Sequence, residues 1–132
     1  EKAFKVNPGV FGYGFTPGND RLLFRTNCIR EGRACDLYGL ELANPTSPAK
    51  KLVEGIYTFK ASEGAERLLL SYARMDSQLY DVASYNLKTG ERRTLERSIS
   101  LPAHFATKDG SKVAYVVSER DRAGVYVADQ VP

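Results

Sequence analysis

The chain has 132 residues, of which 42% are hydrophobic and 27% charged, and its formal net charge is +3. This balance is typical of a single globular domain with a hydrophobic core and excludes a disordered or fibrous chain. No apolar stretch approaches the about 20 residues of a membrane span. The small, dispersed charge does not indicate nucleic-acid binding, and a single histidine, His104, excludes a multi-histidine metal site within the chain.

Short β-strands are predicted along the whole chain, because apolar, β-prone runs alternate with turn residues and no window shows a sustained, capped helical period. Residues 61–70 resemble a helix most closely, but Gly64 lies inside them. The predicted strands form three groups: 10–15, 21–28, 35–42 and 50–53; 56–59, 67–72, 80–87 and 91–96; 99–105, 112–118 and 124–128. The third group lacks a fourth strand. Residues 2–6 have a strand-like composition, and either supply that strand or belong to a preceding unit.

The three groups repeat one pattern. Segments that begin at Phe15, Phe59 and Phe105 each contain an aromatic residue, a glycine-containing turn, a basic residue and an apolar strand. The first two phenylalanines are 44 residues apart and the last two are 46 apart. We therefore expect the three side chains to hold equivalent places in the core between successive units.

A second landmark has the same period. Residues 36–42 match residues 81–87, which lie 45 positions later, and residues 125–129 match both. A period of about 40–50 residues with about four short strands is typical of propeller blades. The sequence predicts an all-β fold of about three four-stranded antiparallel blades in a partial or open β-propeller. The chain would be one propeller-type domain or portion, with repeats at about 10–55, 56–98 and 99–132.

Residues 15–24 and 105–115 read as aromatic, turn with Gly, apolar pair and aromatic, and residues 87–91 add a Thr-Gly turn. With the hairpin at 118–127, they resemble the PD40 repeat, also called the WD40-like β-propeller repeat, of TolB-like propellers and of some prolyl-type serine peptidases. Gly18-Asn19 departs from its Asp-Gly pair, and the second repeat has a longer turn. Closed propellers have about 4–8 blades. The chain is therefore expected to be part of a longer propeller, or an open module that buries its ends on a partner or a second copy.

Cys28 and Cys35 flank six residues at the neck of the hairpin predicted from 21–28 and 35–42. Opposed strand positions are close enough to permit a disulfide after modest adjustment, and two buried free thiols are the alternative. The spacing does not match a paired metal knuckle. A disulfide would indicate an oxidising compartment, so we expect a periplasmic or extracellular location. These residues contain no signal peptide, and the chain is either a mature product or an excised piece.

A catalytic set is not expected. His104 with Ser98, Ser100 and Asp109 can be drawn as a hydrolytic triad, but no G-x-S-x-G turn exposes a serine. A strand histidine with a structural hydrogen bond is the simpler interpretation. The glycines at 9, 12, 14 and 18 do not form a dinucleotide-binding motif. The sequence predicts no enzyme activity, no cofactor and no metal.

Charged loops are the best candidates for binding, because a repeated scaffold leaves its loops free to vary. The candidate residues are Arg30 and Arg33 in one loop, and Arg120 and Arg122 in another. Arg92 and Arg93 should point to opposite faces of an outer strand, which argues against one phosphate clamp formed by both.

The sequence predicts a non-catalytic scaffold that presents loops to a protein or peptide partner, with no nucleic-acid partner and no membrane span. It would assemble with copies of itself or with the remainder of a longer propeller. The alternative is the propeller portion of a larger serine hydrolase whose catalytic residues lie outside this chain.

Overall fold

The computed structural model describes residues 9–16, 18, 20–61, 66–99, 104–106, 111–117 and 119–129. Within these ranges the chain forms three antiparallel sheets and no helix. The first sheet contains β1 (Gly12–Phe15), β2 (Arg21–Ile29), β3 (Ala34–Glu41) and β4 (Lys50–Ile56). The second contains β5 (Thr58–Ala61), β6 (Arg67–Ala73), β7 (Tyr80–Asn86) and β8 (Arg92–Ile99). The third contains β9 (His104–Ala106), β10 (Lys112–Val117) and β11 (Gly124–Asp129).

Each sheet is a meander whose strands pair in chain order, and the sheets are not closed into one another. The predicted all-β architecture of about three antiparallel units is confirmed. Within the helix-like window 61–70, Ala61 ends β5 and residues 67–70 begin β6, which pairs with both β5 and β7, whereas residues 62–65 lie outside the described residues. In the third sheet the described residues form three strands. The strand-like residues 2–6 lie outside the described residues.

The strand register shows the repeat directly. A basic residue begins the second strand of every sheet and lies opposite the end of the third strand, in the pairs Arg21–Glu41, Arg67–Asn86 and Lys112–Asp129. Two of these pairs are ion pairs, with N–O distances of 2.8 Å for Arg21–Glu41 and 2.6 Å for Lys112–Asp129. The same cross-strand position therefore recurs in three consecutive sheets.

The three phenylalanines lie on the first strands of their sheets, but they do not hold equivalent places. Phe15 pairs with Leu22, the second residue of β2, whereas Phe59 pairs with Leu70, the fourth residue of β6. The backbone of Phe105 pairs with the third residue of β10. Phe59 packs on the core between the first two sheets, but Phe15 is 51% exposed. The expectation of three equivalent core side chains is wrong, because the three phenylalanines occupy different register positions relative to the second strands of their sheets.

Two apolar clusters join the sheets face to face. The cluster between the first and second sheets is formed by buried side chains of β2, β3, β4, β6 and the β7 end: Leu23, Leu37, Val53, Ile56, Leu68, Leu70, Tyr85 and Leu87. The cluster between the second and third sheets contains Val82, Ile99, Tyr115 and Val117. Alternate residues of β6 and β7 thus point to opposite sides, so the second sheet is covered on both faces.

The two end sheets each carry an exposed apolar face. Tyr13 and Phe15 point away from the second sheet on β1, and Val125 and Val127 do so on β11, and all four side chains are at least half exposed. On the second sheet the corresponding faces are covered by neighbouring sheets. The end faces therefore have the composition of surfaces that pack against another sheet.

Candidate functional site

The β2–β3 turn carries two of the predicted binding arginines, Arg30 and Arg33. Arg30, Glu31 and Gly32 all have positive φ, and the Arg33 amide donates to the Arg30 carbonyl at 3.2 Å. Positive φ at both central residues closes a tight hairpin turn whose twist matches that of the flanking strands. Glycine takes this conformation without steric cost, and two non-glycine residues adopt it here beside it.

A disulfide between Cys28 and Cys35 closes the neck of this turn, with the two Cα atoms 4.1 Å apart. The register shifts between Thr26 and Ile29, so that two residues of β2 oppose Cys35 alone. Asn27 provides the bulge with a φ of 52°, a conformation that asparagine tolerates better than most residues. The bulge turns Cys28 toward Cys35, and the disulfide then fixes the base of the turn.

Arg33 joins the first turn to the second sheet. Its guanidinium donates to the carbonyl of Ser77 at 3.5 Å and lies 5.7 Å from the ring centroid of Tyr80. Ser77 belongs to the β6–β7 turn, residues 74–79, which is closed by the Arg74 amide donating to Leu79 at 2.9 Å. The first two hairpin turns are therefore neighbours, and Arg33 is used within the molecule to hold them together.

Arg122 has the corresponding role in the β10–β11 turn, of which residues 119–123 are described. Its guanidinium forms an ion pair with Glu96 of β8 at 2.6 Å and a longer one with Glu119 at 3.7 Å. Tyr126 donates its hydroxyl to the Arg122 carbonyl at 2.6 Å. The third turn is thus anchored to the second sheet, as the first turn is.

Glu96 is the charged partner in this anchor, and its side chain is only 15% exposed. Burial opposes its ionisation, but hydrogen bonds from Arg122 and from the Arg97 amide outweigh burial and hold the pKa of Glu96 below its ordinary value. Burial, with the nearby Glu96 carboxylate, raises the pKa of Tyr115, which donates to Glu96 at 3.4 Å. Glu96 is therefore ionised in the folded protein near neutral pH.

Arg30 and Arg120 differ from the other two predicted arginines. Both are exposed, and neither side chain has a hydrogen bond or an ion pair with another residue in the described part of the chain. The structure therefore divides the four predicted residues into two that anchor turns and two that face outward.

Large apolar side chains are exposed at the same end of the first two sheets. Phe11, Ile29 and Met75 are 62%, 58% and 67% exposed. Ile29 precedes the first turn, Met75 lies in the second, and a Cβ placed on Gly32 would lie 4.0 Å from the Phe11 ring. We call this surface the loop face: the turns 30–33, 74–79 and 119–123 together with Phe11 and Ile29. Sequence reasoning found its arginines but missed Phe11 and Met75, which give no sequence signal beyond being apolar and next to turns.

A cleft of about 340 Å³ separates β1 from β5. Gly12 and Gly14 form one side of it, and Phe59 lies on the other. Arg25 donates to the carbonyl oxygens of Tyr57 and Phe11, so it bridges the two sheets. Because Gly14 has no side chain, Phe59 approaches to 3.6 Å from the place that a Gly14 Cβ would take.

The residues considered for a hydrolytic triad are only partly described. Ser98 lies in β8 with a φ of 59°, and His104 begins β9, where its backbone pairs with Tyr115. Ser100 and Asp109 lie outside the described residues. Within the described ranges, no group of three or more His, Cys, Asp or Glu side chains is placed to hold a metal ion. The same ranges contain no helix of the length and apolarity that crossing a membrane requires.

Two solved structures share this architecture. TolB from Acinetobacter baumannii matches 89% of the chain with a TM-score of 0.59 at 19% sequence identity. The β-propeller domain of the Trilobed protease from Pyrococcus furiosus, described as having an open velcro topology, matches 93% with a TM-score of 0.57 at 13% identity. The chain has a β-propeller-type fold.

The match extends over only part of each propeller structure. The chain spans 29% of the TolB chain and 42% of the protease propeller chain. At these identities the likeness shows the fold alone. No protein-family model matches the sequence, and no curated protein matches it. The resemblance to the PD40 repeat therefore rests on the sequence of residues 15–24, 87–91, 105–115 and 118–127.

Proposed function

We propose that the chain is a non-catalytic propeller-type scaffold whose loop face binds a protein or peptide. The observation that carries this proposal is the exposure of Phe11, Ile29 and Met75 beside the outward-facing Arg30. Aromatic residues, methionine and arginine are enriched in the central parts of protein interfaces. The first two turns are in contact through Arg33, so this surface is held in one shape before a partner arrives.

The anchoring of the turns supports binding because ordering a loop upon association costs free energy. The disulfide fixes the first turn, Arg33 ties it to the second, and Arg122 ties the third to β8. A partner would therefore meet a surface that needs little rearrangement. In this proposal Arg30 and Arg120 contact the partner, whereas Arg33 and Arg122 position the turns.

Selection of peptides displayed on phage against the immobilised chain, followed by fluorescence anisotropy of the selected peptides, tests the loop face. Arg30→Ala and Met75→Ala should each weaken binding by about tenfold or more if they are central contacts. Lys88→Ala, in the exposed β7–β8 turn at the opposite end of the second sheet, is the matched control. Peptides that bind all three variants as tightly as the unaltered chain would place the binding surface elsewhere.

The end faces support a further part of the proposal, that the chain packs against additional blades or another copy. Each end face exposes large apolar side chains on a strand, and exposed apolar sheet surfaces and edges promote association. Light scattering of the purified chain distinguishes the cases. A dimer or ring supports assembly with copies. A compact, soluble monomer at high concentration would show that the end faces need neither another copy nor additional blades to cover them.

A second candidate function is favoured by one comparison, since one matched structure is the propeller domain of a protease. In this alternative the chain belongs to a larger hydrolase whose nucleophile lies in another domain. The full open reading frame separates the two functions. A continuation that contains a G-x-S-x-G turn favours the hydrolase, and a continuation with only further blades favours the scaffold.

The disulfide supports a location in an oxidising compartment, periplasmic or extracellular, because structural disulfides persist there and are rare in reducing cytoplasm. Both cysteines of the chain take part in it. Acid quenching of the native cells followed by maleimide labelling measures its state. Labelling of both thiols without prior reduction would contradict this location.

A further inference from the structure

The outer strand of the second sheet contains two irregularities that change which side chains share a face. Val82 pairs with Glu96 and the next residue of β7, Ala83, pairs with Thr94, so Leu95 is an extra residue. Leu95 and Glu96 both contact the third sheet, Leu95 through the apolar cluster and Glu96 through Arg122. A bulge reverses the alternation of the residues that follow it.

Arg97 consequently points to the same face as Arg92 and Thr94. In a strand without the bulge, residue 96 would lie on that face. Arg93 points the other way and donates to the carbonyl of Asp129 in the third sheet. The expectation that Arg92 and Arg93 lie on opposite faces agrees with this arrangement. The sequence alone did not predict that Arg92 and Arg97 share a face of β8, because the bulge that places them there depends on contacts with the third sheet.

Arg92 and Arg97 border a groove of about 220 Å³ on this face. We call it the arginine groove, and its lining includes Tyr72, Asp81, Ala83, Arg92, Thr94 and Arg97. The Arg92 guanidinium lies 5.5 Å from the Tyr72 ring centroid and donates to the Tyr72 hydroxyl at 3.0 Å. This contact holds Arg92 in place and leaves its other N–H groups for a ligand, since a guanidinium has five donors.

Asp81, an acidic residue of the groove lining, already has partners within the chain. Asp81 forms an ion pair with Arg74 at 3.3 Å and accepts a hydrogen bond from the Ser98 amide at 3.0 Å. Arg92 and Arg97 have no carboxylate partner in the described ranges. Both arginines are exposed and line the same groove, so they give it a positive rim that an anionic group can approach. Guanidinium groups match carboxylates in bidentate geometry.

The backbone of β8 adds a second recognition element. Among the described strands β8 has one neighbour, β7, so one of its edges has N–H and C=O groups that no described strand uses. An extended peptide can add to such an edge, and its alternate side chains then lie on one face of the sheet. That face carries Arg92, Thr94 and Arg97.

We propose that the arginine groove and the free edge of β8 bind an extended acidic peptide segment, whose carboxylates pair with Arg92 and Arg97. This site is separate from the loop face and does not depend on it. Edge strands also carry charged residues simply to prevent edge-to-edge association, and the experiment must distinguish that role.

The probe is a short fluorescein-labelled peptide of alternating glutamate and threonine, measured by anisotropy against the full chain. Arg92→Gln and Arg97→Gln should each weaken binding by about tenfold, as loss of a charge-assisted hydrogen bond does. Arg93→Gln is the matched control, because it removes the same charge from the same strand on the opposite face. A peptide with glutamine in place of glutamate should bind at least about tenfold more weakly.

Each other outcome overturns the proposal. Equal weakening by all three substitutions would show attraction by net charge only. Absence of peptide binding, with aggregation of the Arg92→Gln and Arg97→Gln variants, would assign the arginines to edge protection. A single-stranded oligonucleotide that competes for the groove and binds more tightly than the peptide would assign it to nucleic acid. Arg97→Gln keeps the test informative if Arg92→Gln fails to fold, because the Arg97 side chain has no hydrogen bond or ion pair with another described residue.

Discussion

Removal of the Cys28–Cys35 disulfide should destabilise the chain by a modest and calculable amount. The closed loop is short, with a sequence separation of 7. The chain-entropy relation for a loop of that length gives about 2.4 kcal/mol at 25 °C. For a two-state domain of this size, that corresponds to a decrease in Tm of about 8 °C.

The measurement compares denaturant unfolding of the oxidised chain, the chain under reductant, and the Cys28→Ala/Cys35→Ala variant. Reduction and substitution should lower the free energy of unfolding by similar amounts, with a small addition in the variant because Cys35 is buried. Reductant should not affect the variant, which is the control. An unchanged unfolding midpoint, or a loss above about 5 kcal/mol, would refute the local role given to the disulfide.

The same perturbation separates the two proposed binding sites. The disulfide fixes the base of the first turn of the loop face, whereas the arginine groove lies entirely on the second sheet. Reduction should therefore weaken binding of loop-face peptides and leave the acidic peptide unaffected. Equal losses at both sites would show that the disulfide supports the whole molecule.

Three further substitutions test the packing, the turn anchor and the backbone. Leu70→Ala should cost about 2–5 kcal/mol in denaturant unfolding, because Leu70 is fully buried between two sheets; a loss no larger than that of the exposed Met75→Ala would contradict this packing. Gly32→Ala should cost about 1–2 kcal/mol, because Gly32 has a φ of 85°; an unchanged Tm would argue against the turn. Glu96→Gln should cost about 1 kcal/mol at pH 7. Because folding lowers the pKa of Glu96, this difference should be complete above about pH 5 and vanish as the pH falls through the folded pKa; a difference that persists in strong acid would exclude the ion pair as its source.

Much of the fold could be predicted from residue pattern. Alternating apolar residues bounded by turn residues located the strands, and the period of the two landmarks grouped them into sheets. The basic residue that begins β2, β6 and β10 marks equivalent positions better than the phenylalanines do. In all three sheets this residue lies opposite the end of the third strand. Phe15 and Phe59 looked equivalent only because both precede turns.

The parts that sequence reasoning missed depend on pairing between strands. A bulge such as that at Leu95 is fixed by contacts with the third sheet, and it moves Arg97 to the other face. Likewise, Arg33 and Arg122 look like free loop arginines in the sequence, and their partners Ser77 and Glu96 come from distant segments. Charge and turn composition identify which residues are near a surface, but only the fold determines which of them have partners within the chain.

The most direct test of three consecutive, equivalent sheets is an NMR measurement of cross-strand contacts. The Leu42 amide donates to Asp20 at 2.9 Å and the Leu87 amide donates to Glu66 at 2.8 Å, so the adjacent pairs Arg21–Glu41 and Arg67–Asn86 are non-hydrogen-bonded pairs with close Hα atoms. Strong Hα–Hα cross-peaks should appear for both pairs and for Lys112–Asp129. Absence of the second and third cross-peaks, or sequential amide contacts typical of a helix across β6, would contradict the repeated-sheet architecture.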